Sequence, residues 1–456
     1  MLKKNDVLTL EVSDITNLGF GVARAEGQVV FISDAVPGDT VETRIIKLAS
    51  SYAVGRVEKY IRRSEDRVEG RCGIRACKSC AYKAISYERE LAIKEESVRH
   101  TFKKAGLGEV RVERVVPSPA TARYRNKAQY PISLGRDGEY LIGFYAPKSH
   151  RVTEAAGCPL APDKFEGILE SCREFFKEKR LSVYNEEDGT GLLRHLYLRR
   201  GEVSGEVLLT LIINSETLPC SDEFVSKITG AHPEVVGILL NVNKKDTNVV
   251  LGEKYATLYG RDYIFDTLAG VRLKITAPSF YQVNHDAAEL LYAKARELAA
   301  LTGKELVLDL YCGAGSIGLS MADACREVVG IEIVESAVEC AKFNADSNGI
   351  ENASFYAGDA SEAARLLAPA EAARGDKIRP DVVVFDPPRG GTTEELIKHV
   401  AGLNPSRIVY ISCNPATLAR DMVVFREYGY TGESITPFDL FPGTGHVESV
   451  VCLTRK

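Results

Sequence analysis

The carboxy-terminal part of the chain alternates between apolar strand-like runs and helix-like runs, and this alternation constrains the fold most strongly. From about residue 286 the runs include "ELVLDLYCGAGSIGLSMA", "EVVGIE" and "PDVVVFDPP", whose strand portions are almost continuously apolar. Continuous apolar runs are typical of strands that are buried on both faces of a parallel sheet. We therefore predict a doubly wound α/β domain, in which ligands bind beyond the carboxyl ends of the strands.

A glycine-rich turn follows the first of these strands and is a candidate nucleotide site. Gly313, Gly315 and Gly318 form the pattern G-x-G-x-x-G. This pattern is typical of dinucleotide binding, with a pyrophosphate at the helix amino terminus, and Glu332 could then hold the ribose of NAD. Asp309 favours a different ligand, because a carboxylate suits the sulfonium and ammonium cations of S-adenosylmethionine (SAM) and repels phosphate. The turn alone leaves both interpretations open, with SAM preferred.

The motif "DPPRGG", residues 386–391, ends a later strand and favours SAM. Its two successive prolines remove amide donors and stiffen the backbone, so carbonyl groups and the Asp386 carboxylate can face a polar base or the methyl donor. A rigid loop that only ends the strand is the alternative. An Asp-Pro-Pro segment at this place is typical of methyltransferases that act on nucleobases.

The segment "ISCNPATLARD", residues 411–421, places Cys413 where the next strand ends and a helix begins. A free cysteine is most often an inert buried residue, so a reactive role needs a chemical reason. If the acceptor is C5 of a uracil, that carbon is too weak a nucleophile until a thiolate adds to C6. Cys413 is suitably placed for this covalent step, and we expect Arg389 and the helix beginning at Pro415 to lower the pKa of its thiol.

The covalent route also needs a base that removes the C5 proton so that the thiolate can leave. The segment "FPGTGHVES" near the carboxyl terminus offers Glu448 and His446. Glu448 begins the last predicted strand, and its simplest explanation is a surface carboxylate. His446 is the rival candidate, because histidine is the commonest proton-transfer residue.

The amino-terminal part of the chain has a different pattern and is basic. Residues 1–60 contain short strand-like runs separated by glycines and a Pro-Gly-Asp turn, which is typical of a small closed β-barrel. Residues 84–106 have amphipathic helical spacing, and residues 115–262 return to strands and turns. Residues 1–130 hold 24 Lys and Arg against 17 Asp and Glu, although the whole chain has a net charge of −5. We therefore expect a polyanion to bind at this end.

Together these motifs resemble the SAM-dependent RNA uracil-5 methyltransferases, and most closely the bacterial members that act on 23S ribosomal RNA. The resemblance runs nearly from end to end through "SFYQVN" (279–284), "DLYCGAGSIG" (309–318), "GIE" (330–332), "DPPRGG" (386–391), "SCNPATLARD" (412–421) and "HVES" (446–449). It implies a TRAM-like RNA-binding β-barrel over residues 1–62, a central β-rich α+β domain over 63–262 and a Rossmann-like SAM methyltransferase domain over 263–456. The helix near residues 84–110 is expected to pack on the methyltransferase domain.

The resemblance also implies roles for individual residues. Cys413 is the expected nucleophile and Glu448 the expected proton acceptor. The residues expected to contact SAM are Gln282, Tyr311, Glu332 and Asp386. Phe280 is expected beside a uridine that lies in a loop or is flipped out of a stem, and Phe280 and Tyr281 are candidates for stacking on it.

Four cysteines form a separate candidate site. Cys72, Cys77 and Cys80 have the spacing C-x4-C-x2-C, and Cys158 follows 78 residues later. Four thiolates in a reducing compartment suit either a structural zinc ion or an iron–sulfur cluster. The resemblance implies a 4Fe–4S cluster, although the first spacing is one residue shorter than in those relatives and Ser79 stands where glycine is common.

The segment "RYRNKAQY", residues 123–130, interleaves Arg123, Arg125 and Lys127 with Tyr124 and Tyr130. Basic residues between aromatic rings suit single-stranded RNA, which binds through phosphate contacts and base stacking. A basic surface strand is the alternative.

Composition excludes some classes of protein and leaves a few rival functions. The chain is 45% hydrophobic and 27% charged, has no apolar run of membrane-spanning length and starts without a signal-peptide core. We expect a cytoplasmic protein with no membrane partner and, by default, a monomer. The rivals are a methyltransferase of transfer RNA uracil, a non-catalytic RNA-binding assembly factor and an NAD oxidoreductase. The barrel and the cysteines argue against the transfer RNA enzyme. Cys413 and Asp386 argue against the non-catalytic assembly factor, and Asp309 with the Asp-Pro-Pro motif argues against the NAD oxidoreductase.

Overall fold

The strands in the described part of the chain form three large sheets and a separate hairpin. The structure is a computed structural model that describes residues 2–69, 72–74, 77, 79–147, 149–362, 366 and 379–455. Within these ranges no helix is long and apolar enough to cross a membrane.

The amino-terminal sheet curls into a small barrel. Its strands are β1 (Val7–Glu11), β2 (Asp14–Ile15), β3 (Phe20–Ala25), β4 (Gln28–Ser33), β5 (Thr40–Leu48) and β6 (Tyr52–Arg62). They pair in the order β1-β5-β6-β4-β3-β2, and the amide of Ser13 donates to the carbonyl of Val22, so that the chain after β1 closes onto β3. Alternate residues such as Val30, Ile32 and Val41 fill the interior, as expected for strands with one buried face.

A long helix and a short strand connect the barrel to the carboxy-terminal sheet. Helix α1 (Tyr87–Lys104) begins after the N-cap Ser86, whose hydroxyl accepts an amide of the first turn at 3.3 Å. Val98 and Phe102 of this helix join the core on one face of the carboxy-terminal sheet. Strand β7 (Arg111–Val112) then pairs at the edge of that sheet. The amino-terminal segments are therefore attached directly to the carboxy-terminal sheet.

The central sheet has seven strands and two helices. The strands are β8 (Lys127–Leu134), β9 (Tyr140–Tyr145), β10 (Val152–Glu154), β11 (Leu193–Arg200), β12 (Val207–Ile213), β13 (Val235–Val242) and β14 (Lys254–Gly260), and the helices are α2 (Asp163–Lys179) and α3 (Ser221–Ala231). The strand order is β10-β9-β8-β11-β12-β13-β14, with β12 and β13 parallel and the other neighbours antiparallel. Both helices cover one face, where Phe175, Phe176 and Phe224 pack together.

A hairpin and three helices cover one face of the carboxy-terminal sheet. The elements are β15 (Tyr263–Leu268), β16 (Val271–Thr276), α4 (His285–Ala299), α5 (Ser316–Met321) and α6 (Glu335–Ser347). Their apolar residues share one core with this face of the sheet. On the opposite face, α1 is joined by α7 (Glu394–Leu403) and α8 (Pro415–Glu427), and α1 packs against α8.

The carboxy-terminal sheet has nine strands and contains the parallel core that the sequence predicts. The parallel strands are β17 (Leu306–Leu310), β18 (Glu327–Glu332), β19 (Ala353–Ala357), β20 (Val382–Phe385) and β21 (Arg407–Ser412). The remaining strands are β7, described above, β22 (Tyr430–Thr431), β23 (Ser434–Phe438) and β24 (Glu448–Arg455). The order is β19-β18-β17-β20-β21-β24-β23-β7, and β22 also pairs with β24. The strand order reverses between β17 and β20, which is where such sheets bind ligands. The predicted fold class is confirmed.

Candidate active site

Five strand ends bring predicted site residues to one edge of the carboxy-terminal sheet. Four of these residues stand at, or directly after, the carboxyl ends of β17, β18, β20 and β21: they are Tyr311, Glu332, Asp386 and Cys413. Glu448 begins β24, which runs antiparallel to β21, so it lies at the same edge. Parallel strands place their carboxyl ends together, which explains how residues distant in sequence meet.

Asp309 holds the glycine turn from inside the sheet. Its Oδ2 accepts a hydrogen bond from the amide of Gly318 at 2.9 Å, and a Cβ on residue 318 would lie 2.8 Å from that oxygen. Burial raises the pKa of Asp309 to about 7, with contributions from Asp386 and Glu332. Its Oδ1 is buried and has no hydrogen-bond partner within the described part of the chain. An unsatisfied acceptor among other carboxyls suits a cationic ligand.

Glu332 is held at the end of β18 by backbone amides. Its Oε2 accepts from the amide of Gly313 at 3.0 Å, and its Oε1 accepts from the amide of Val334 at 2.9 Å. Each carboxylate oxygen can accept a second hydrogen bond. Glu332 can therefore also bind the hydroxyls of a ribose.

Gln282 lies against Tyr292, a residue of α4 that was not predicted from the sequence. The hydroxyl of Tyr292 is 2.8 Å from Oγ of Ser316, which opens the helix after the glycine turn. Burial raises the pKa of Tyr292, as do the Asp386 and Asp309 carboxyls, and the side chain of Gln282 hydrogen-bonds to it. These contacts place Gln282 beside both the glycine turn and the acidic residues.

Tyr311 joins the glycine turn to the "DPPRGG" loop. Its φ angle is 65°, in the left-handed region that residues other than glycine adopt at an energetic cost. Its hydroxyl lies 3.2 Å from Oγ1 of Thr392. The strained residue therefore connects two of the motifs predicted to bind the methyl donor.

Cys413 is half-buried, and its thiol has a raised pKa. Burial raises the pKa of Cys413 to about 11 with help from the Glu448 and Asp386 carboxyls, whereas Arg389 opposes them. Arg389 acts in the expected direction, but the expected net lowering of this pKa is wrong. Burial and two carboxyls outweigh one exposed guanidinium.

Glu448 is buried beside Cys413 rather than exposed near the carboxyl terminus. The last cross-strand pair, Ser412 with Ser449, puts Cys413 next to Glu448 across two antiparallel strands. Glu448 is 4% exposed, and burial raises its pKa to about 8. A carboxyl with a pKa near neutral can both accept and release a proton. The rival His446 lies exposed in the loop before β24.

A buried hydrogen-bond network holds the "DPPRGG" loop on α8. Asp421, 1% exposed, accepts from the amide of Thr392 at 3.0 Å and from the hydroxyl of Tyr410 at 2.6 Å. Arg420 pairs with Asp421 and donates to the carbonyls of Gly390 and Thr392. Asp421 was not predicted from the sequence, although an aspartate among the apolar positions of an amphipathic helix is a recognisable signal.

Asn414 connects the same loop to the residue that follows β21. As the N-cap of α8 it accepts from the amide of Ala416 at 3.1 Å, and its Nδ2 donates to the carbonyl of Arg389 at 3.2 Å. The Cys413 backbone and the loop that contains Asp386 are therefore held in a fixed relation.

The two aromatic residues of "SFYQVN" differ in exposure. Phe280, two residues before Gln282, is 67% exposed, whereas Tyr281 is 6% exposed and donates its hydroxyl to Oδ2 of Asp266 at 2.8 Å. Of the two, only Phe280 is available for stacking, and the suggested stacking by Tyr281 is wrong because its ring belongs to the core.

The segment 123–130 does not present the predicted aromatic surface. Tyr124 and Tyr130 are 5% and 1% exposed. Arg123 donates to the carbonyls of Cys158 and Ala161 at 3.0 and 3.2 Å, so it supports the cysteine segment. The prediction that the cations and aromatic rings of this segment together bind RNA is wrong, because the rings of Tyr124 and Tyr130 are both buried.

The four predicted metal ligands are near one another but are not arranged around a single ion. Burial raises the pKa of Cys80 to about 12, with contributions from the thiols of Cys158, Cys77 and Cys72. Among the described residues, no group of three or more His, Cys, Asp or Glu could hold a metal ion. The predicted metal site therefore has no support from ligand geometry. The donor set, four thiols, has the composition that an iron–sulfur cluster requires.

Two family models match the chain. The TRAM domain model matches residues 2–57, and the model described as tRNA (uracil-5-)-methyltransferase matches residues 236–456. The first match covers the barrel and confirms the predicted TRAM domain. The second contains all the strand ends that form the site.

Full-length relatives and one solved structure that are similar to this chain are also named as RNA methyltransferases. A protein of Halalkalibacterium halodurans named as an uncharacterized RNA methyltransferase is 39% identical and covers 100% of this chain and 98% of its own. A protein of Clostridium acetobutylicum with the same description is 38% identical with the same coverage. The crystal structure of Pyrococcus abyssi tRNA (uracil-54, C5)-methyltransferase in complex with S-adenosyl-L-homocysteine has a TM-score of 0.78 and 27% identity, over 98% of this chain and 100% of that chain.

Proposed function

The chain belongs to the tRNA (uracil-5-)-methyltransferase family of SAM-dependent RNA methyltransferases, and we propose that it methylates C5 of a uridine in 23S ribosomal RNA through a covalent adduct with Cys413. The observation that carries this proposal is the position of Cys413 beside the buried carboxyl of Glu448, at the edge where Glu332 and Asp386 also lie. The reaction needs a nucleophile, a base and an acidic site for a cationic donor.

SAM binds, in this proposal, across the ends of β17, β18 and β20. Glu332 accepts the ribose hydroxyls, and Gln282 and Tyr311 complete the contacts to the donor. Asp386 lies near the cationic part of SAM. Burial raises the pKa of Asp386 to about 7, and a bound cation would favour its ionised form.

Sulfur addition makes C5 of the uracil nucleophilic. The Cys413 thiolate forms a bond to C6, and the electron pair of the C5–C6 double bond moves towards O4 to give an enolate. C5 then attacks the methyl carbon of SAM, whose carbon–sulfur bond breaks to release neutral S-adenosylhomocysteine. The Cys413 thiol must first lose its proton to solvent. The positive charge of SAM offsets the carboxylates that raise the pKa of Cys413, so we infer that donor binding favours this proton loss.

Glu448 completes the reaction in this proposal. Its carboxylate removes the C5 proton, the C5–C6 double bond re-forms, and the bond between C6 and the Cys413 sulfur breaks. The raised pKa of Glu448, about 8, makes its carboxylate a stronger base than an ordinary glutamate, and the proton passes to solvent before the next turnover. The exposed ring of Phe280 is proposed to stack beside the uridine once the base has been flipped out from between its neighbours.

Transfer RNA uracil stays the alternative substrate. The resemblance of the motifs favours 23S ribosomal RNA, but the barrel does not separate the two substrates. The P. abyssi enzyme is named as a transfer RNA methyltransferase and aligns over 98% of this chain, barrel included. The presence of a barrel therefore no longer opposes a transfer RNA substrate.

Transfer of a tritiated methyl group tests the reaction and its substrate together. Purified protein is incubated with tritiated-methyl SAM and either unmodified 23S ribosomal RNA or unmodified transfer RNA, and labelled nucleosides are identified as 5-methyluridine. We expect label in the ribosomal RNA. Label in transfer RNA alone would favour the alternative, and label in neither RNA would contradict methyltransferase activity on these substrates.

RNA containing 5-fluorouridine at the target position tests the covalent step. Fluorine at C5 cannot leave as a cation, so the methylated adduct should persist and run as a protein–RNA band on a denaturing gel. We expect the band with wild type and with Cys220→Ala, which removes an exposed thiol elsewhere, but not with Cys413→Ala. A wild-type band that survives in Cys413→Ala would assign the nucleophile to another residue.

We propose that Cys72, Cys77, Cys80 and Cys158 hold a 4Fe–4S cluster, which would link the segment after the barrel to the central domain. When bound, it would supply structural cross-linking or electron transfer, and no step of methyl transfer passes through it. Protein purified without oxygen should contain iron and acid-labile sulfide and absorb broadly in the visible range. Stoichiometric zinc without iron would contradict the proposal. We further propose that the protein acts as a cytoplasmic monomer.

A further inference from the structure

The outer face of the β15–β16 hairpin and the adjacent helix α6 form a patch of aromatic rings and cations that the proposed reaction does not use. We call it the hairpin patch and define it by Tyr263, Phe265, Arg272, Lys274 and Phe343. The hairpin register places Phe265 opposite Lys274, and the opposite face of the hairpin belongs to the core. The four hairpin side chains therefore lie on the face that points away from this core, and the ring of Phe343 in α6 is stacked on Phe265 at that face.

Rings and cations contact each other throughout the hairpin patch. The guanidinium carbon of Arg272 lies 3.5 Å from the ring centroid of Phe265, and that ring is stacked on Phe343 at 6.3 Å. The Nζ of Lys274 lies between two rings, 4.5 Å from the centroid of Tyr263 and 5.0 Å from that of Phe343. The cations are thus ordered beside flat surfaces.

The two cations have no carboxylate partner, although neighbouring cations do. Arg261 pairs with Glu206 at 2.7 Å, and Lys342 pairs with Glu339 at 2.9 Å. Neither Arg272 nor Lys274 forms an ion pair with any residue in the described ranges. Arg272 is exposed and Phe343 is 40% exposed, so a charge and a ring face remain accessible to a ligand.

Attachment of α6 to the hairpin does not require the hairpin patch. Asn344 accepts from the amide of Lys274 at 2.7 Å, and Asn348 accepts from the amide of Arg272 at 2.9 Å and donates to its carbonyl at 2.7 Å. These bonds already hold the helix against β16. The exposed part of the Phe343 ring can therefore contact a ligand without loss of these bonds.

Hydrogen bonds join the hairpin patch to the segment that contains Phe280. Thr276 of β16 lies opposite Tyr263 in the hairpin register, two residues after Lys274. Its amide donates to Oγ of Ser279 at 3.1 Å, and its own Oγ1 lies 2.7 Å from the same atom. Ser279 precedes Phe280, the exposed ring proposed to lie beside the target base.

We propose that the hairpin patch binds the single-stranded RNA segment next to the target uridine, with bases stacked on Phe343 and on the Arg272 guanidinium and with phosphates beside Lys274 and Arg272. Base stacking and cations are the two interactions through which proteins hold single strands. The acidic residues Asp262 and Glu339 act, like Lys274, on the thiol of Cys340 in α6, so positive and negative charges both lie near the patch. We therefore expect base stacking to contribute more to the binding free energy than net charge does. The inference rests on the RNA methylation proposed above.

Binding of a short fluorescent oligouridylate to the full-length protein tests the inference without any methylation step. Anisotropy gives the Kd at several salt concentrations for the single strand and for the same strand paired with oligoadenylate. We expect Phe343→Leu to weaken single-strand binding about tenfold with little change in its salt dependence. Arg272→Gln with Lys274→Gln should weaken binding and lower the salt slope by about 0.7 for each phosphate that the two cations neutralise in the wild-type protein.

Two controls make the result specific. Lys304→Gln changes an exposed cation before β17, at the opposite edge of the sheet, and should bind like wild type. Binding to the paired strand should change much less than binding to the single strand in every patch variant. Unchanged affinity and salt slope in both patch variants would overturn the inference, as would equal losses for paired and single strands. If the patch variants bind oligouridylate more weakly but the wild-type protein methylates no RNA, the result would support RNA binding by the hairpin patch and contradict the proposed reaction.

Discussion

At the scale of single residues, the raised pKa values of Cys413 and Glu448 govern how the proposed reaction begins. The pKa of Cys413 is about 11 and that of Glu448 about 8, so both side chains favour their protonated forms at neutral pH. The thiol must lose its proton before it can attack a pyrimidine. A cationic methyl donor beside Asp386 would favour the thiolate and the carboxylates together. Reactivity would then depend on the donor being in place.

Glu448→Gln is expected to stop the proposed reaction after methyl transfer. The amide cannot remove the C5 proton, so ordinary uridine RNA should accumulate as a methylated adduct on Cys413, and product should fall by about a hundredfold or more. A denaturing gel with labelled RNA measures the adduct. Glu448→Gln combined with Cys413→Ala is the control and should give no band. Full turnover by Glu448→Gln, together with loss of turnover in His446→Gln, would move the base to His446.

Donor affinity is expected to rise with pH because burial raises the pKa of Asp386 and of Asp309 to about 7. A bound cation lowers these pKa values, so SAM binding must release protons and must tighten as pH rises. We expect binding at pH 8 about tenfold tighter than at pH 6, and a smaller dependence in Asp386→Asn. Titration calorimetry in two buffers of different ionisation enthalpy counts the released protons. A pH-independent Kd without proton release would contradict this coupling.

At the scale of elements, strand ends were predictable from the sequence and the contacts that hold them were not. The apolar runs and glycine turn predicted β17, β18, β20 and β21, because buried parallel strands have a strong local pattern. The amphipathic spacing of Phe165, Ile168, Leu169 and Cys172 marks α2, yet the pattern of residues 115–262 was interpreted as strands and turns, and only the resemblance implied a mixed α+β domain. The sequence did not predict that Asp421 contacts the "DPPRGG" loop, because this contact depends on how the loop that follows β20 packs against α8.

Removal of the Asp421 charge is expected to loosen the "DPPRGG" loop from α8. In Asp421→Asn the amide of Thr392 and the hydroxyl of Tyr410 lose a charged acceptor, and Arg420 loses its partner. We expect a loss of about 2–3 kcal/mol in the free energy of unfolding, measured by urea denaturation. Asp346→Asn, at an exposed position of α6, should change it by less than about 0.5 kcal/mol. An Asp421→Asn protein as stable as wild type would mean that the network does not hold the loop.

At the scale of the whole molecule, the loop 439–446 before Glu448 is contacted by segments from the first third of the chain. The amide of Tyr82 donates to the carbonyl of Gly443 at 2.9 Å, and the hydroxyl of Tyr124 donates to the carbonyl of Pro442 at 3.0 Å. The segment after the barrel therefore supports the approach to the proposed base. Such contacts join residues more than three hundred positions apart, and neither partner has a local pattern that predicts the other.

The strongest of these contacts is a buried group of charges that joins α1 to the same loop. Lys94 lies 2.7 Å from Oε1 of Glu90 and 2.7 Å from Oδ1 of Asp439, and all three side chains are at most 1% exposed. The amide of Gly443 also donates to Oε1 of Glu90 at 2.7 Å. Because one cation serves two buried carboxyls, the group depends on Lys94 far more than an exposed pair would.

Lys94→Met is therefore expected to cost about 3–5 kcal/mol in the free energy of unfolding, because Glu90 and Asp439 lose the cation between them while they remain buried. The triple variant Glu90→Gln, Lys94→Met, Asp439→Asn removes all three charges together and should recover most of that loss in urea denaturation at neutral pH. The rate of methyl transfer should be lower in Lys94→Met than in the triple variant, because the loop 439–446 lies just before Glu448 in the chain. A Lys94→Met protein within about 1 kcal/mol of wild type, or a triple variant no more stable than the single one, would show that unpaired charge is not what couples α1 to the loop.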